Sequence, residues 1–166
     1  MMPMWSEALL AAVAQEFSDV SDLSQTVRVV VRLLMAALLG GLLGWERETQ
    51  GKAAGVRTHM LVCMGASLFV VVPEQAGMTF EDVSRVIQGI TAGVGFLCAG
   101  TIIKGRASAD VQGLTTAAGI WLTTAVGVAC GLGRESTALL GTVLALATLK
   151  LLPWLAASLQ KRTNQD

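Results

Sequence analysis

The segments Glu46–Glu48 and Arg57–His59 hold the residues of this chain with the clearest capacity for chemistry. They place two carboxylates, two guanidinium groups and the single histidine next to long apolar runs. Such groups can pair, bind a cation or titrate near neutral pH. A charge in hydrocarbon costs at least about 2.5–3.5 kcal/mol, so these groups must lie at an interface or find partners inside a bundle. We expect Glu46 to pair with Arg57.

The composition indicates the environment in which these residues must be positioned. Hydrophobic residues make up 53% of the 166 residues, charged residues make up 14%, and the mean hydropathy is +0.61. Soluble domains carry about 25% charged residues, so this chain lacks the surface that a water-exposed fold needs. The net charge is zero and there is no long basic tract. This pattern predicts the lipid bilayer as a partner and excludes nucleic acid.

Five apolar segments are long enough to cross a bilayer, which requires about 17–25 residues in a helix. These segments cover residues 27–45, 56–73, 86–103, 111–132 and 136–159. They lack the alternation of a lipid-facing strand, so helices are favoured. We predict an all-α integral membrane protein with a bundle of about five transmembrane helices and a short N-terminal interfacial helix over residues 3–17. The predicted division is a periplasmic segment 1–26, a transmembrane domain 27–159 and a cytoplasmic tail 160–166.

The distribution of Lys and Arg predicts the orientation of the bundle. Basic residues are more frequent in the loop after the first span, the loop after the third and the C-terminal tail than on the other side. The positive-inside rule therefore predicts a periplasmic N-terminus and a cytoplasmic C-terminus. This topology gathers one polar cluster at the cytoplasmic face, with the members Glu46, Arg47, Glu48, Arg57, Thr58, His59, Lys104, Asp110, Gln112, Thr115 and Thr116.

Small residues at helical spacing predict where helices approach one another. The pairs Gly89/Gly93 and Gly127/Gly131 are each four residues apart. In lipid, such pairs allow helix backbones to pack closely. The predicted helix-packing residues are Gly89, Gly93, Gly95, Gly100, Gly127 and Gly131. For any one pair, packing within the bundle or in a homodimer is favoured over contact with another protein.

Four separated motifs, in this order and each at a span, resemble the MgtC/SapB family of bacterial membrane proteins. They are Gly44–Glu48, Ala54–Val62, Gly93–Ile103 and Gly113–Trp121. The resemblance covers about residues 30–135. Cys98 stands where the family usually has Gly, and Gln112 stands where it usually has Arg. Longer members also carry a soluble C-terminal domain, so this sequence is identified as a short form.

The resemblance implies a bacterial inner-membrane protein concerned with magnesium homeostasis, adaptation to low magnesium, and virulence or host stress. It implies a regulatory role through helix contacts within the bilayer. The partner would be another membrane protein complex such as the ATP synthase, and a homodimer is the alternative.

Transport of magnesium or another small ion is the rival function. This alternative is supported by Glu46, Glu48 and Asp110, which are predicted to share the cytoplasmic membrane face. Mg²⁺ can bind through one or two carboxylates while keeping several waters. Basic side chains on that face compete with a cation for these carboxylates, which favours structural ion pairs and predicts no metal site. No catalytic motif is present, and we expect neither enzyme activity nor a cofactor.

Overall fold

A computed structural model describes residues 4–16, 22–104 and 111–163, with side chains described for most of these but not for residues 4, 6, 103, 104 and 152–163. The elements in chain order are α1 (Met4–Glu16), α2 (Leu23–Thr49), α3 (Val56–Gln75), α4 (Phe80–Thr101), β1 (Ile103–Lys104), β2 (Val111–Gln112), α5 (Leu114–Gly131) and α6 (Glu135–Thr163). The prediction of an all-α membrane protein is confirmed. The two short strands pair antiparallel, with Ile103 opposite Gln112.

Four helices are long and apolar enough to cross a membrane among the described residues: α2, α3, α4 and α5. They correspond to the first four predicted spans. The fifth predicted span lies within α6, and its membrane crossing stays a prediction. Helix α1 occupies the predicted N-terminal helix, and its location at the interface stays a prediction too.

The helix boundaries differ from the predicted spans in several places. Helices α2 and α4 begin four and six residues earlier than the apolar pattern indicates, because polar residues also fit the first turns of a helix. Helix α3 continues past Pro73 to Gln75, so the proline lies in the last turn and does not end the helix.

The fourth span was predicted to be helical from residue 111, and this was wrong. Val111 and Gln112 form β2, and Gly113 then turns the chain with φ 90°. A Cβ at Gly113 would clash with the Thr101 carbonyl, so the tight turn into α5 requires glycine at this position. Lys104 lies in β1 rather than at a helix end.

The chain forms two compact units, residues 1–31 and residues 32–166. In the first unit, the described side chains of α1 are exposed. In the second, α5 contacts α3, α4 and α6. Its main apolar cluster contains Ala36, Leu39, Leu43, Cys63, Val126, Cys130, Ala138 and Ala145. This core positions the ends of α2, α3 and α5 that carry the candidate site.

Candidate functional site

Glu46, Arg47 and His59 form an interior charge cluster where α2, α3 and α5 meet. Their exposed fractions are 3%, 3% and 0%. The Arg47 guanidinium donates to Glu46 Oε2 through both Nε and Nη2. The charges of both residues act on the His59 ring. A buried acid and a buried base therefore neutralise each other beside the histidine.

Two glycines of α2 allow α3 to approach closely enough to bury His59. A Cβ at Gly40 would lie 2.7 Å from the His59 carbonyl oxygen, and one at Gly44 would lie 2.6 Å from Val56 Cα. Real Cβ atoms do not come this close to backbone atoms, so any side chain at either position would separate the two helices. The close approach of α2 and α3 is what takes the cluster out of contact with solvent and lipid.

Gly119 of α5 closes the third side of the cluster. A Cβ at this position would lie 3.5 Å from His59 Nε2 and 3.8 Å from Arg47 Cδ. The missing side chain leaves room for the imidazole and for the aliphatic stem of the arginine. The cluster therefore depends on three helices that are distant in sequence.

The hydrogen bond of the histidine fixes the proton on one ring nitrogen. His59 Nδ1 lies 3.0 Å from the Gly55 carbonyl oxygen. Because a carbonyl only accepts, Nδ1 donates in this bond and the neutral ring presents Nε2 as an acceptor. Nε2 and Glu46 Oε1 are both buried without a hydrogen-bond partner among the described residues. The cluster is thus neutral overall but retains two unused acceptor atoms.

Glu48 lies outside the cluster and organises the start of α3. It is exposed, and its Oε2 accepts a hydrogen bond of 2.8 Å from the Val56 N–H. A carboxylate at a helix N-terminus satisfies an unpaired donor and interacts favourably with the helix dipole. Glu48 therefore serves as a cap for α3.

The predicted pairing of Glu46 with Arg57 is wrong. Glu46 pairs with its neighbour Arg47, and Arg57 is exposed on the opposite side of the first turn of α3 from the buried His59. Arg57 and His59 are two positions apart in the helix, so about 200° of helical rotation lies between their side chains. Because His59 faces the interior of the bundle, Arg57 faces outward, away from Glu46.

The structure places the other members of the predicted polar cluster as follows. Thr116 is buried, and Thr58, Gln112 and Thr115 are exposed. Asp110 lies outside the described residues, as does the side chain of Lys104. Among the described side chains, the structure brings only part of the predicted polar cluster together. The functional roles of the cluster residues stay predictions.

The predicted packing glycines divide into two groups. A Cβ at Gly127 would clash with the Cys63 carbonyl and lie 2.9 Å from Ala66 Cβ, and one at Gly131 would lie 2.7 Å from the Ser67 carbonyl oxygen. Both glycines therefore pack α5 against α3. At Gly89, Gly93, Gly95 and Gly100 no atom of the described chain lies within 4 Å of such a Cβ. These four glycines of α4 do not pack closely against the described chain.

Two of the open glycines of α4, Gly89 and Gly93, border an apolar groove between α3 and α4. This α3–α4 groove has a volume of about 700 Å³ and is lined by Leu61, Val62, Gly65, Ala66, Phe69, Val86, Gly89, Ile90, Gly93, Val94, Leu97 and Thr124. Only 11% of the most apolar stretch of α4 is covered by the rest of the chain, against 50% for α5. One side of the bundle therefore remains open to the bilayer.

Sequence reasoning missed the packing role of Gly40, Gly44 and Gly119, together with an ion pair between Arg32 and Glu74. Gly40 and Gly44 have the same four-residue spacing as the predicted packing pairs of α4 and α5, so this spacing could have identified them. The predicted topology places the start of the first span and the end of the second span on one membrane side, which was the available signal for this pair.

Comparison with known proteins shows the family of this chain. The model of the MgtC family matches residues 33–158. The chain belongs to the MgtC family. The match covers the interior charge cluster, the packing glycines of α5 and the α3–α4 groove.

Three curated relatives illustrate the range of the family. SrpB of Synechococcus elongatus is 45% identical over 129 residues, covering 71% of each chain. YhiD of Escherichia coli K12, whose name provisionally describes it as a magnesium transporter, is 38% identical over 75% of this chain and 60% of its own. MgtC of Salmonella typhimurium is 41% identical over 70% of this chain and 49% of its own. The match therefore spans about half of MgtC. No solved structure matches the chain.

Proposed function

We propose that this MgtC-family protein is a non-catalytic regulator of the bacterial inner membrane, which binds a transmembrane helix of another membrane protein in the α3–α4 groove. The observation that carries the proposal is the exposure of Gly89 and Gly93 in this groove, together with the half-buried Gly65, each with open space where a Cβ would lie. Lipid chains gain little from glycine, whereas a partner helix gains close backbone packing.

The use of glycine elsewhere in the same bundle supports this interpretation. Gly127 and Gly131 are covered by α3, so the protein already uses a small pair four residues apart to pack one helix on another. Gly89 and Gly93 form the same pair on α4 without a helix against it. A complex such as the ATP synthase is a partner of the proposed kind, and a second copy of the chain is the alternative. The proposed setting is adaptation to low magnesium or host stress, with the N-terminus periplasmic and the C-terminus cytoplasmic.

Magnesium transport is the competing function, and the interior charge cluster argues against it. The carboxylate of Glu46 is engaged by Arg47, whose positive charge opposes a cation at the same place. Among the described residues, no group of three or more His, Cys, Asp or Glu side chains could hold a metal ion. A transport path would need the buried carboxylate to be released from its arginine.

Filling the groove is expected to remove the partner. In wild-type protein extracted from native membranes with mild detergent, a second membrane complex should co-purify. Gly93→Leu should abolish this recovery, because the leucine occupies the space left for the partner helix. Ala92→Leu is the matched control, since Ala92 is an exposed neighbour on α4 that does not line the groove. Recovery of wild-type protein by itself, or equal loss in both variants, would contradict the proposal.

Measuring magnesium flux in vesicles reconstituted with the protein distinguishes regulation from transport. The regulatory proposal predicts no magnesium flux above that of protein-free vesicles. Flux that disappears in Glu46→Gln would instead support transport, because that substitution removes the only carboxylate of the interior charge cluster.

A further inference from the structure

The main apolar cluster of residues 32–166 is built without α4. Among the described residues, its members come from α2, α3, α5 and α6, whereas Val94 of α4 belongs to a smaller cluster with Ala54 and Ile120. Of the 22 described residues of α4, only Val83 and Val94 are buried. Helix α4 therefore lies at the edge of the bundle and makes its one central buried contact through Val94.

Open space flanks this contact on both sides. A second groove, between α4 and α5, has a volume of about 230 Å³, and its lining includes Ile87, Thr91, Val94, Trp121 and Thr124. Val94 and Thr124 also line the α3–α4 groove. Packing around the middle of α4 is thus limited to a narrow line, with a void to either side of it.

The C-terminal end of α4 is tied to the start of α5. Cys98 Sγ donates a hydrogen bond of 3.3 Å to the Ala117 carbonyl. The backbone carbonyl of Thr101 lies directly against Gly113, and β1 pairs with β2 just beyond it. These contacts hold the last two turns of α4 in place.

The N-terminal half of α4 has weaker ties. Among the described residues, the hydrogen bonds and ion pairs of its side chains stay within α4 and its N-cap, as in the pairs of Arg85 with Glu81 and Asp82. Val83 is the only buried side chain among residues 80–93. Moving Val83 into lipid costs no hydrophobic free energy, because lipid chains are as apolar as its own side chain, and only packing is lost.

We propose that α4 is a hinged helix, whose N-terminal half tilts about Val94 while its C-terminal end stays on α5. Few buried contacts give a segment low local stability, and fixed contacts next to such a segment make a hinge. Gly89 moves with the tilting half, so the tilt widens or narrows the α3–α4 groove and regulates entry of the partner helix. This regulatory role rests on the proposed function, whereas the motion itself requires no partner.

Distances between spin labels test the hinge in the purified full-length protein, reconstituted in lipid nanodiscs without a partner. The labels are introduced as spin-labelled amino acids, so the native cysteines stay unchanged. One label replaces the exposed Leu140 on α6. The second replaces one of three exposed residues, Glu81 or Phe96 on α4 or Val72 on α3. At about 1.5 Å per residue, a tilt of about 10–20° about Val94 would move Glu81 by about 3–7 Å and Phe96 by about 1 Å or less.

We expect the Leu140–Glu81 distance distribution to be broader than the Leu140–Val72 control by about 3–7 Å, and the Leu140–Phe96 distribution to match the control. Equal widths for the Glu81 and Val72 pairs would overturn the hinge. Equal broadening at Glu81 and Phe96 would overturn it too, because α4 would then move as a whole.

Val94→Ala supplies a second measurement, since it removes the buried side chain at the hinge. It should broaden the Leu140–Phe96 distribution and leave the Leu140–Val72 distribution unchanged. An unchanged Leu140–Phe96 distribution would contradict the assignment of the hinge to Val94. Co-purification of a partner with a rigid α4 would contradict the hinge alone, whereas a tilting α4 without any partner would contradict only the proposed function.

Discussion

Replacing Arg47 by alanine is expected to destabilise the protein by about 3–5 kcal/mol, because the change leaves the buried Glu46 carboxylate without its counter-charge. Both residues are 3% exposed, so neither water nor lipid head groups can take over the role of the guanidinium. The free energy of unfolding in detergent, measured by denaturant titration, would test this value. A loss below 1 kcal/mol would mean that Glu46 is solvated or finds another partner.

Arg57→Ala is the matched control, since it removes the same type of side chain from an exposed position 10 residues along the sequence. Its expected effect is within about 0.5 kcal/mol, as for surface substitutions in general. A double-mutant cycle between Glu46 and Arg57 should show no coupling, whereas the cycle between Glu46 and Arg47 should show strong coupling. Coupling of Glu46 to Arg57 instead would restore the pairing first expected from the sequence.

Gly127→Ala is expected to have the second large effect, a destabilisation of about 1–3 kcal/mol from overpacking. Its methyl group would clash with the Cys63 carbonyl and with Ala66, both on α3. A carbonyl of the backbone cannot rotate away as a flexible side chain can, so α3 and α5 must separate. The midpoint of thermal unfolding would report this loss.

Gly93→Ala should change stability in the opposite direction. Its methyl group meets no atom within 4 Å, and alanine is the better helix former by up to about 1 kcal/mol. Equal destabilisation by Gly127→Ala and Gly93→Ala would show that α4 is covered in the isolated protein. The contrast between two glycines in similar sequence contexts therefore tests the division between covered and open helix faces.

The membrane class and the approximate positions of four spans could be predicted from the sequence, because hydrophobic length is a property of each segment alone. The start of α5 could not. Val111 is apolar and extends the run toward Gly113, but its pairing with Lys104 depends on a second segment of the chain. Apolar character does not distinguish a strand residue from the first turn of a helix.

The candidate site could be predicted only in part, for a geometric reason. The sequence identifies Glu46, Arg47 and His59 as costly residues near a membrane boundary, but the choice of partner depends on helix rotation. Once Gly40 and Gly44 bring α3 against α2, the face of α3 that carries His59 is buried and the face that carries Arg57 is exposed. For the same reason, the sequence could not distinguish the glycine pair of α4 from that of α5. Their spacing is identical, and only the packed bundle distinguishes the covered pair from the open one.

Site-specific photo-crosslinking in native membranes tests the central claim most directly, namely that the α3–α4 groove receives a helix of another membrane protein. A photoreactive amino acid would replace Leu97, which lines the groove, and in a separate variant Leu140, which is exposed on α6. We predict a discrete adduct with another membrane protein from position 97 and none from position 140. Adducts with lipid alone, or with the same protein from both positions, would contradict the claim.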